Sequence, residues 1–196
     1  MLASPEAWRC FVAVPVPAAI RSVLEPAVAA WRAESGAPDL RWTDPDGWHV
    51  TLAFLGPTEP NVVPGLEDAL GRAVLPFPPP RFATGRLGAF PRAQAAQSIW
   101  LGLDDPSGVL GQLATAVQAA VLEPDRRRPL RAHLTIGRSR ARRGEPLGGW
   151  LESRMVPTVD VVVHDVVLYR SHLGRGPARY EEVARIPVGG AGSARG

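Results

Sequence analysis

Apolar positions along the chain fall into short runs and alternations, interrupted at close intervals by Pro and Gly. Phe11-Val12-Ala13-Val14 stops at Pro15 and Pro17 and predicts a strand. From Ala18 to about Glu34, the residues Ile20, Val23, Leu24, Val28 and Trp31 recur at helical spacing. The Trp48–Leu55 run alternates and ends at Gly56-Pro57, and a short helix is expected over Pro64–Leu75, ahead of the breaker Pro76-Phe77-Pro78-Pro79-Pro80. Strands follow at Arg81–Leu87 and Ser98–Leu103. A helix from Ser107 to Leu122 would be capped by Ser107, with Leu110, Leu113, Val117 and Val121 on one face. Ala132–Gly137 reads as a further strand. Val159–Tyr169 and Ala178–Ile186 flank a turn-rich segment, Ser171–Pro177, and suggest a hairpin. Strands outnumber helices and short turns join several of them, so an antiparallel α+β fold is expected rather than a doubly wound one.

Within two of the predicted strands the same four-residue pattern occurs: His49-Val50-Thr51-Leu52 and His133-Leu134-Thr135-Ile136, each His, aliphatic, Thr, aliphatic. Four His and seven Thr in 196 residues give about 0.14 His-x-Thr triplets by chance, so two with matching aliphatics stand well above background. Strand parity explains the spacing. Residues i and i+2 share a face, so each His lies beside its Thr. Val50, Leu52 and Phe54, and likewise Leu134 and Ile136, then take the opposite face toward a core. Two such strands side by side would set two imidazoles and two hydroxyls around one cavity. An unperturbed imidazole titrates near pH 6.5, so one ring can be neutral and the other charged. Such a pair can run an in-line displacement at phosphorus: the neutral ring takes a proton from attacking water, and the charged ring donates one to the departing oxygen. Thr hydroxyls and a nearby Arg would hold the phosphoryl oxygens as charge builds there. A zinc site from His49 and His133 with Asp44 or Asp46 is the competing chemistry, disfavoured because the repeat supplies Thr where a metal would prefer His or carboxylate. His164 and His172 lack a partner Thr and carry no such role.

Composition narrows the chemistry further. All 22 basic residues are Arg, against 19 acidic, for a net charge of +3. Without Lys there is no Walker A lysine, no Schiff base and no lysyl-adenylate. Eight of the Arg fall between Arg126 and Arg143, beside the second motif, a density that would attract a polyanion. Cys10 is the sole cysteine, which removes any intrachain disulfide and any Cys-based zinc cluster. The opening MLASPEAWRC lacks a charged-then-apolar leader layout and no apolar stretch approaches 18 residues, so a cytoplasmic protein without a membrane segment is expected.

The sequence resembles the two-histidine phosphoesterases, specifically the RNA 2′,3′-cyclic phosphodiesterase (2′-5′ RNA ligase) branch. The resemblance runs through Phe11-Val12-Ala13-Val14-Pro15, from Arg41-Trp42 to His49-Val50-Thr51-Leu52-Ala53-Phe54-Leu55-Gly56, and Ala132-His133-Leu134-Thr135-Ile136-Gly137-Arg138, and then through Leu168–Ser171 with Gly176–Tyr180. Members usually carry Leu-Ala between the second Thr and the Arg, where this chain has Ile136-Gly137. The resemblance implies one bilobal domain over residues 1–188, with two pseudo-symmetric lobes of mostly antiparallel sheet and outer helices around a central cleft; the residues 189–196 themselves read as a disordered tail. It implies metal- and cofactor-independent opening of a 2′,3′-cyclic phosphate at an RNA 3′ end, by a monomer. His49 would protonate the 3′ oxygen and His133 would activate water, while Thr51, Thr135 and Arg138 hold the phosphate. Ideal alternation sends Arg138 to the face opposite His133, so the strand is expected to end or bulge at Gly137.

Two other readings share these motifs. One is an enzyme for a small nucleotide or ADP-ribose cyclic phosphate, and the other is a basic RNA-binding module without turnover. The intact His-x-Thr pair opposes the binding module, because a pure binder gains little from groups that titrate near neutrality. The Arg cluster favours RNA over the small substrate and gains a role there, contacting the backbone upstream of the terminal ring. Phe54, Trp42, Tyr169 and Tyr180 are candidates for stacking on a base.

Overall fold

The computed structural model describes residues 7–141, 143–172 and 178–190. Its elements are β1 (Trp8–Pro15), α1 (Ala18–Ala33), β2 (Leu40–Trp42), β3 (His49–Thr58), α2 (Val63–Val74), β4 (Arg81–Phe90), β5 (Ser98–Asp104), α3 (Val109–Val121), β6 (His133–Ser139), α4 (Gly148–Glu152), β7 (Asp160–Val162), β8 (Asp165–His172) and β9 (Arg179–Pro187). Two sheets result, a four-stranded one ordered β3-β1-β8-β9 and a five-stranded one ordered β2-β6-β5-β4-β7. Every pairing in both is antiparallel. This is the expected α+β architecture in two lobes.

Each lobe has its own core, and each core anchors one motif strand. Val50, Leu52, Ala53 and Leu55 of β3 are buried with Leu70 and Val74 of α2 and Leu110, Leu113 and Val117 of α3. Leu134 and Ile136 of β6 are buried with Leu24, Val28 and Trp31 of α1 and with Ile99 and Leu101 of β5. Burying such a side chain contributes about 1.5–3 kcal/mol, so each strand is held by its apolar edge alone. The lobes are not contiguous in sequence. Helix α1 follows β1 of the four-stranded sheet but packs into the five-stranded lobe, and α3 follows β5 of the five-stranded sheet but packs on β3. This exchange ties the lobes together at their centre, where β3 and β6 approach one another.

Several boundaries depart from expectation for local reasons. The apolar run expected as one strand over Val159–Tyr169 is broken at Val163–His164, so that β7 joins one sheet and β8 the other. Val163 N donates to Pro80 O and Val188 N donates to His164 O, which satisfies the backbone at the break. Strand β2 and helix α4, of three and five residues, are too short to show a period. Ser107 does accept from Val109 N, at 3.3 Å, but the helix starts two residues later than expected, with Gly108 left-handed before it. Val188 and Gly189 form a turn, Gly189 and Gly190 have positive φ, and Gly189 N donates to Val74 O. Residues 191–196 of the expected disordered tail, and 173–177 of the expected hairpin loop, lie outside the described residues.

Both motif strands carry a β-bulge at the same motif position. Ala53 pairs with Val12 and Thr51 with Ala13, leaving Leu52 as the extra residue of β3. Gly137 pairs with Ile99 and Thr135 with Trp100, leaving Ile136 extra in β6. A bulge takes backbone groups out of the ladder, and buried ones must find other partners. At Leu52 the partner is Gln118 of α3, 7% exposed, whose Nε2 donates to Leu52 O at 2.9 Å while its Oε1 accepts from Arg128 N at 2.7 Å. Replacing Gln118 with Leu keeps the volume but orphans both groups; urea unfolding of that variant should show a loss of about 1–3 kcal/mol, more than an exposed Gln→Leu change on the same helix.

Candidate active site

Because the bulges reset the alternation, both strands show one exposure pattern. His49 and Thr51 are half-buried, Val50, Leu52 and Ala53 are buried, and Phe54 is exposed; His133 and Thr135, then Leu134, Ile136 and Gly137, then Arg138 follow the same order. Arg138 therefore returns to the face of His133 and Thr135. The break falls at Ile136, one residue before the position anticipated, and the strand continues to Ser139 rather than ending. The same shift corrects the placement of Phe54. Phe54 is 62% exposed and lines the cleft instead of entering the core, standing in β3 where Arg138 stands in β6.

The five residues singled out by sequence, His49, Thr51, His133, Thr135 and Arg138, line one cavity of about 650 Å³ between the sheets. Phe54, Trp42 and Tyr180 line it too. Tyr169 is half-buried and stacks on Phe11 with ring centroids 5.3 Å apart. Phe11 and Phe90, which sequence reasoning did not connect with the histidines, flank them. His49 lies 4.8 Å from Phe11 and 5.0 Å, edge-on, from Tyr180, while His133 lies 4.9 Å, edge-on, from Phe90. Gly47 lets Tyr180 approach, since a Cβ there would stand 3.3 Å from the tyrosine ring.

Each imidazole is held by the same backbone device. His49 Nδ1 donates to Gly47 O at 2.7 Å, and His133 Nδ1 donates to Arg131 O, in both cases the carbonyl two residues upstream. A carbonyl can only accept, so Nδ1 keeps its proton in either ring, and Nε2 is the atom whose protonation can change. Burial pushes both histidines below the ordinary imidazole pKa, the carbonyl bonds oppose that, and Arg138 lowers both further, with His133 adding to the effect on His49 and Arg131 to that on His133. Without an anion in the cleft both rings are therefore biased toward neutrality.

A bonded strap fixes the distance between the motifs. Thr43–Trp48 carries the chain from β2 in one lobe to β3 in the other. Thr43 Oγ1 donates to Thr135 O at 3.0 Å, Trp48 Nε1 donates to Thr43 Oγ1 at 3.1 Å, and Thr43 N donates to Ile136 O at 3.0 Å. The strap thus joins the residue before His49 to the second motif and also satisfies the carbonyl at the second bulge. No spacing in the sequence marks Thr43, because its role exists only where the chain changes lobes.

The Arg126–Arg143 cluster divides. Arg126 Nη2 donates to Phe54 O and Leu55 O, Arg127 donates to Leu122 O, and Arg128 donates to Asp125 O, so these three brace backbone. Arg131 lies 4.6 Å over the Phe90 ring, and Arg140 pairs with Asp39 at 3.1 Å. Arg138, with Arg9 and Arg41 from outside the cluster, faces the cavity. Of the other histidines, His164 is exposed and His172 bonds Glu181 at 2.7 Å. The donor set of the zinc alternative does not converge. Asp44 accepts from Asp46 N, Asp46 lies 3.5 Å from Arg21, and among the described residues no three His, Cys, Asp or Glu side chains form a metal-holding group. No helix among the described residues is long and apolar enough to cross a membrane.

Residues 14–100 match the family described as LigT like Phosphoesterase. A Geobacillus stearothermophilus protein named RNA 2′,3′-cyclic phosphodiesterase is 30% identical over 192 residues, covering 94% of this chain; the chain spans 59% of that relative's length. An Archaeoglobus fulgidus protein of the same name is 30% identical over 139 residues, 70% of this chain and 76% of the relative. The crystal structure of E. coli LigT complexed with 3′-AMP superimposes with a TM-score of 0.67 at 27% identity, covering 93% of this chain and 99% of that one.

Both depressed histidines make the ligand-free fold bind fewer protons than the unfolded chain just below pH 6.5, so its stability falls as pH drops from there toward the folded values. NMR titration of the ring protons should give both imidazoles pKa values below about 6.5 in phosphate-free buffer, and saturating inorganic phosphate should raise them. Two unshifted rings, indifferent to phosphate, would contradict the shared cavity.

Proposed function

This chain belongs to the LigT-like phosphoesterase family of two-histidine proteins, and from that membership we propose that it hydrolyses RNA terminal 2′,3′-cyclic phosphate to a 2′-phosphomonoester. The observation that carries the reading is the pair of imidazoles, each with Nδ1 tied to a carbonyl and Nε2 without a bonded partner among the described residues, lining one cavity with Arg138. Neither half of that arrangement has a use without the other.

In the proposed reaction the cyclic phosphate lies between the rings, with its non-bridging oxygens held by Thr51, Thr135 and Arg138. His133 Nε2 takes a proton from water as the oxygen attacks phosphorus in line with the 3′ oxygen. The P–O3′ bond breaks, and His49 Nε2–H delivers its proton to the departing O3′. Water supplies the oxygen of the new monoester, which stays on O2′, and the two rings exchange protonation states over the cycle. The bound anion offsets the cationic influence of Arg138 and stabilises the imidazolium that must act as acid. Joining of RNA ends would be this step reversed, with a 5′-hydroxyl in the place of water. The absence of Lys leaves no adenylated-lysine route. Both motifs come from one chain, which supports action as a monomer, and an RNA end as substrate supports a cytoplasmic setting.

His49→Ala and His133→Ala should each lower kcat by at least about 10²-fold on an oligonucleotide ending in 2′,3′-cyclic phosphate, with circular dichroism and melting little changed, and wild-type turnover should persist in EDTA. Near-normal rates in both variants would remove the acid/base roles. With both free-enzyme pKa values depressed, the kcat/KM profile should be bell-shaped with its maximum below pH 6.5, and the alkaline limb of kcat should lie at higher pH because bound phosphate favours imidazolium. Thr43→Val should lower kcat about tenfold with a smaller change in KM, as the strap loosens, and Thr43→Ser should restore it.

A further inference from the structure

Past Phe90 the catalytic cavity opens into a second groove of about 560 Å³, and the two share Arg41, Phe90, Ser98 and Arg138 as walls. Gln97, Ser139 and Arg140 extend the groove, and among the described residues no Asp or Glu lines it. Its cationic wall is built into the sheet. Strand β2 pairs with β6 so that Arg41 stands directly opposite Arg138, and β5 places Ser98 opposite Arg138 on the other side. Like charges directly opposite on neighbouring strands are destabilising. Five arginines, Arg21, Arg140, Arg154, Arg170 and Arg185, have carboxylate partners. Arg41 and Arg138 make no such pair among the described residues. Two adjacent, uncompensated cations facing an acid-free groove that leads out of a phosphate site call for a second anion.

We propose that this groove binds the phosphodiester one nucleotide upstream of the cyclic end, with Arg41 as its principal ligand. The inference rests on the reading of the catalytic cavity given above. The geometry assigns the two anions to the two cations: Arg138, beside His133 and Thr135, takes the reacting phosphate, and Arg41, one strand further out, takes the phosphate on the 5′ oxygen of the same nucleoside. A phosphodiester in an RNA chain and a terminal 5′-phosphate offer the groove the same chemistry. Arg41 therefore distinguishes substrates with an anion at that position from those without one. It is a specificity residue rather than a catalytic one.

The test compares wild type and Arg41→Gln on three substrates: a dinucleotide ending in 2′,3′-cyclic phosphate, a nucleoside 2′,3′-cyclic phosphate with a 5′-phosphate, and the same compound with a 5′-hydroxyl. Wild type should show higher kcat/KM on the first two. The variant should lose about tenfold on those two and nothing on the third, and its salt dependence on the dinucleotide, log kcat/KM against log salt, should be shallower by about 0.7. An equal effect on the two anion-bearing substrates assigns recognition to the phosphate alone, and a larger one on the dinucleotide assigns it to the chain phosphodiester; both support the groove. Equal losses on all three substrates would overturn the proposal by moving Arg41 to the reacting phosphate. No wild-type preference for the 5′ anion, or the same selective loss in Arg9→Gln but not Arg41→Gln, would overturn it as well. If wild type opens none of the three rings, the parent reading fails instead, and that result is distinct from every pattern above.

Discussion

A strand that must be buried on one side and reactive on the other is limited by its own period of two. From a regular strand, His and Thr two residues apart can reach a cleft, but a third polar group three residues beyond Thr faces the core. Both motif strands escape that limit by one extra residue, Leu52 in β3 and Ile136 in β6, placed immediately after Thr. The bulge buries two successive residues, Leu52-Ala53 and Ile136-Gly137, and returns the next side chain to the cleft. Arg138 reaches the cleft beside His133 and Thr135 only because of this break. Phe54 reaches the cleft in the same way, so one backbone device furnishes a cation on one wall and an aromatic face on the other.

The device has a requirement, and the two lobes meet it differently. Residues taken out of the ladder leave carbonyls to satisfy. At Leu52 the carbonyl is taken by a side chain from α3, Gln118, and at a second unpaired residue of β3, Leu55, the carbonyls of Phe54 and Leu55 are taken by Arg126 from the loop after α3. Beside Ile136 they are taken by Thr43, the first residue of the inter-lobe strap. The lobes are alike in strand and bulge but unlike in support. On the second side the support is also the connection, so what completes the backbone of β6 fixes where β3 begins. Positioning of the two imidazoles is therefore a property of the crossing between lobes more than of either lobe alone.

Alternation and breakers carried most of the architecture. The runs ending at Pro15 and Pro76–Pro80 bound real elements, whereas β3 runs on through Gly56-Pro57 to Thr58, paired with β1; the repeated His-x-Thr pattern marked the two strands that meet. What stayed hidden belongs to pairing. A bulge is defined by the partner strand, so sequence could require a break near Gly137 without choosing Ile136, and nothing pointed to Leu52, which is why Phe54 was assigned to the core. The Val159–Tyr169 run is equally apolar on both sides of His164 and could not show that its halves serve different sheets. Charge density is as silent about pairing. Arg126, Arg127 and Arg128 read as an RNA contact by composition, and the fold adds that each donates to a backbone carbonyl, that of Arg126 lying in β3. Arg41, outside the cluster, is brought beside Arg138 by a three-residue strand with no readable period.

The electrostatics of the cleft follow from these placements. Three guanidinium groups, from Arg9, Arg41 and Arg138, face a cavity whose sole acidic wall residue is Asp44 among the described residues. With an acid–base pair of the His–carboxylate kind, the protein itself would hold the imidazolium and keep its pKa high. Here carbonyl oxygens stand where carboxylates might have been, so each ring is oriented without being charged. In the proposed reaction the missing negative charge is the substrate phosphate's. The empty site biases its histidines toward neutrality, while an occupied one would hold a proton where O3′ needs it. On that reading, protonation of the acid is coupled to arrival of the anion that uses it.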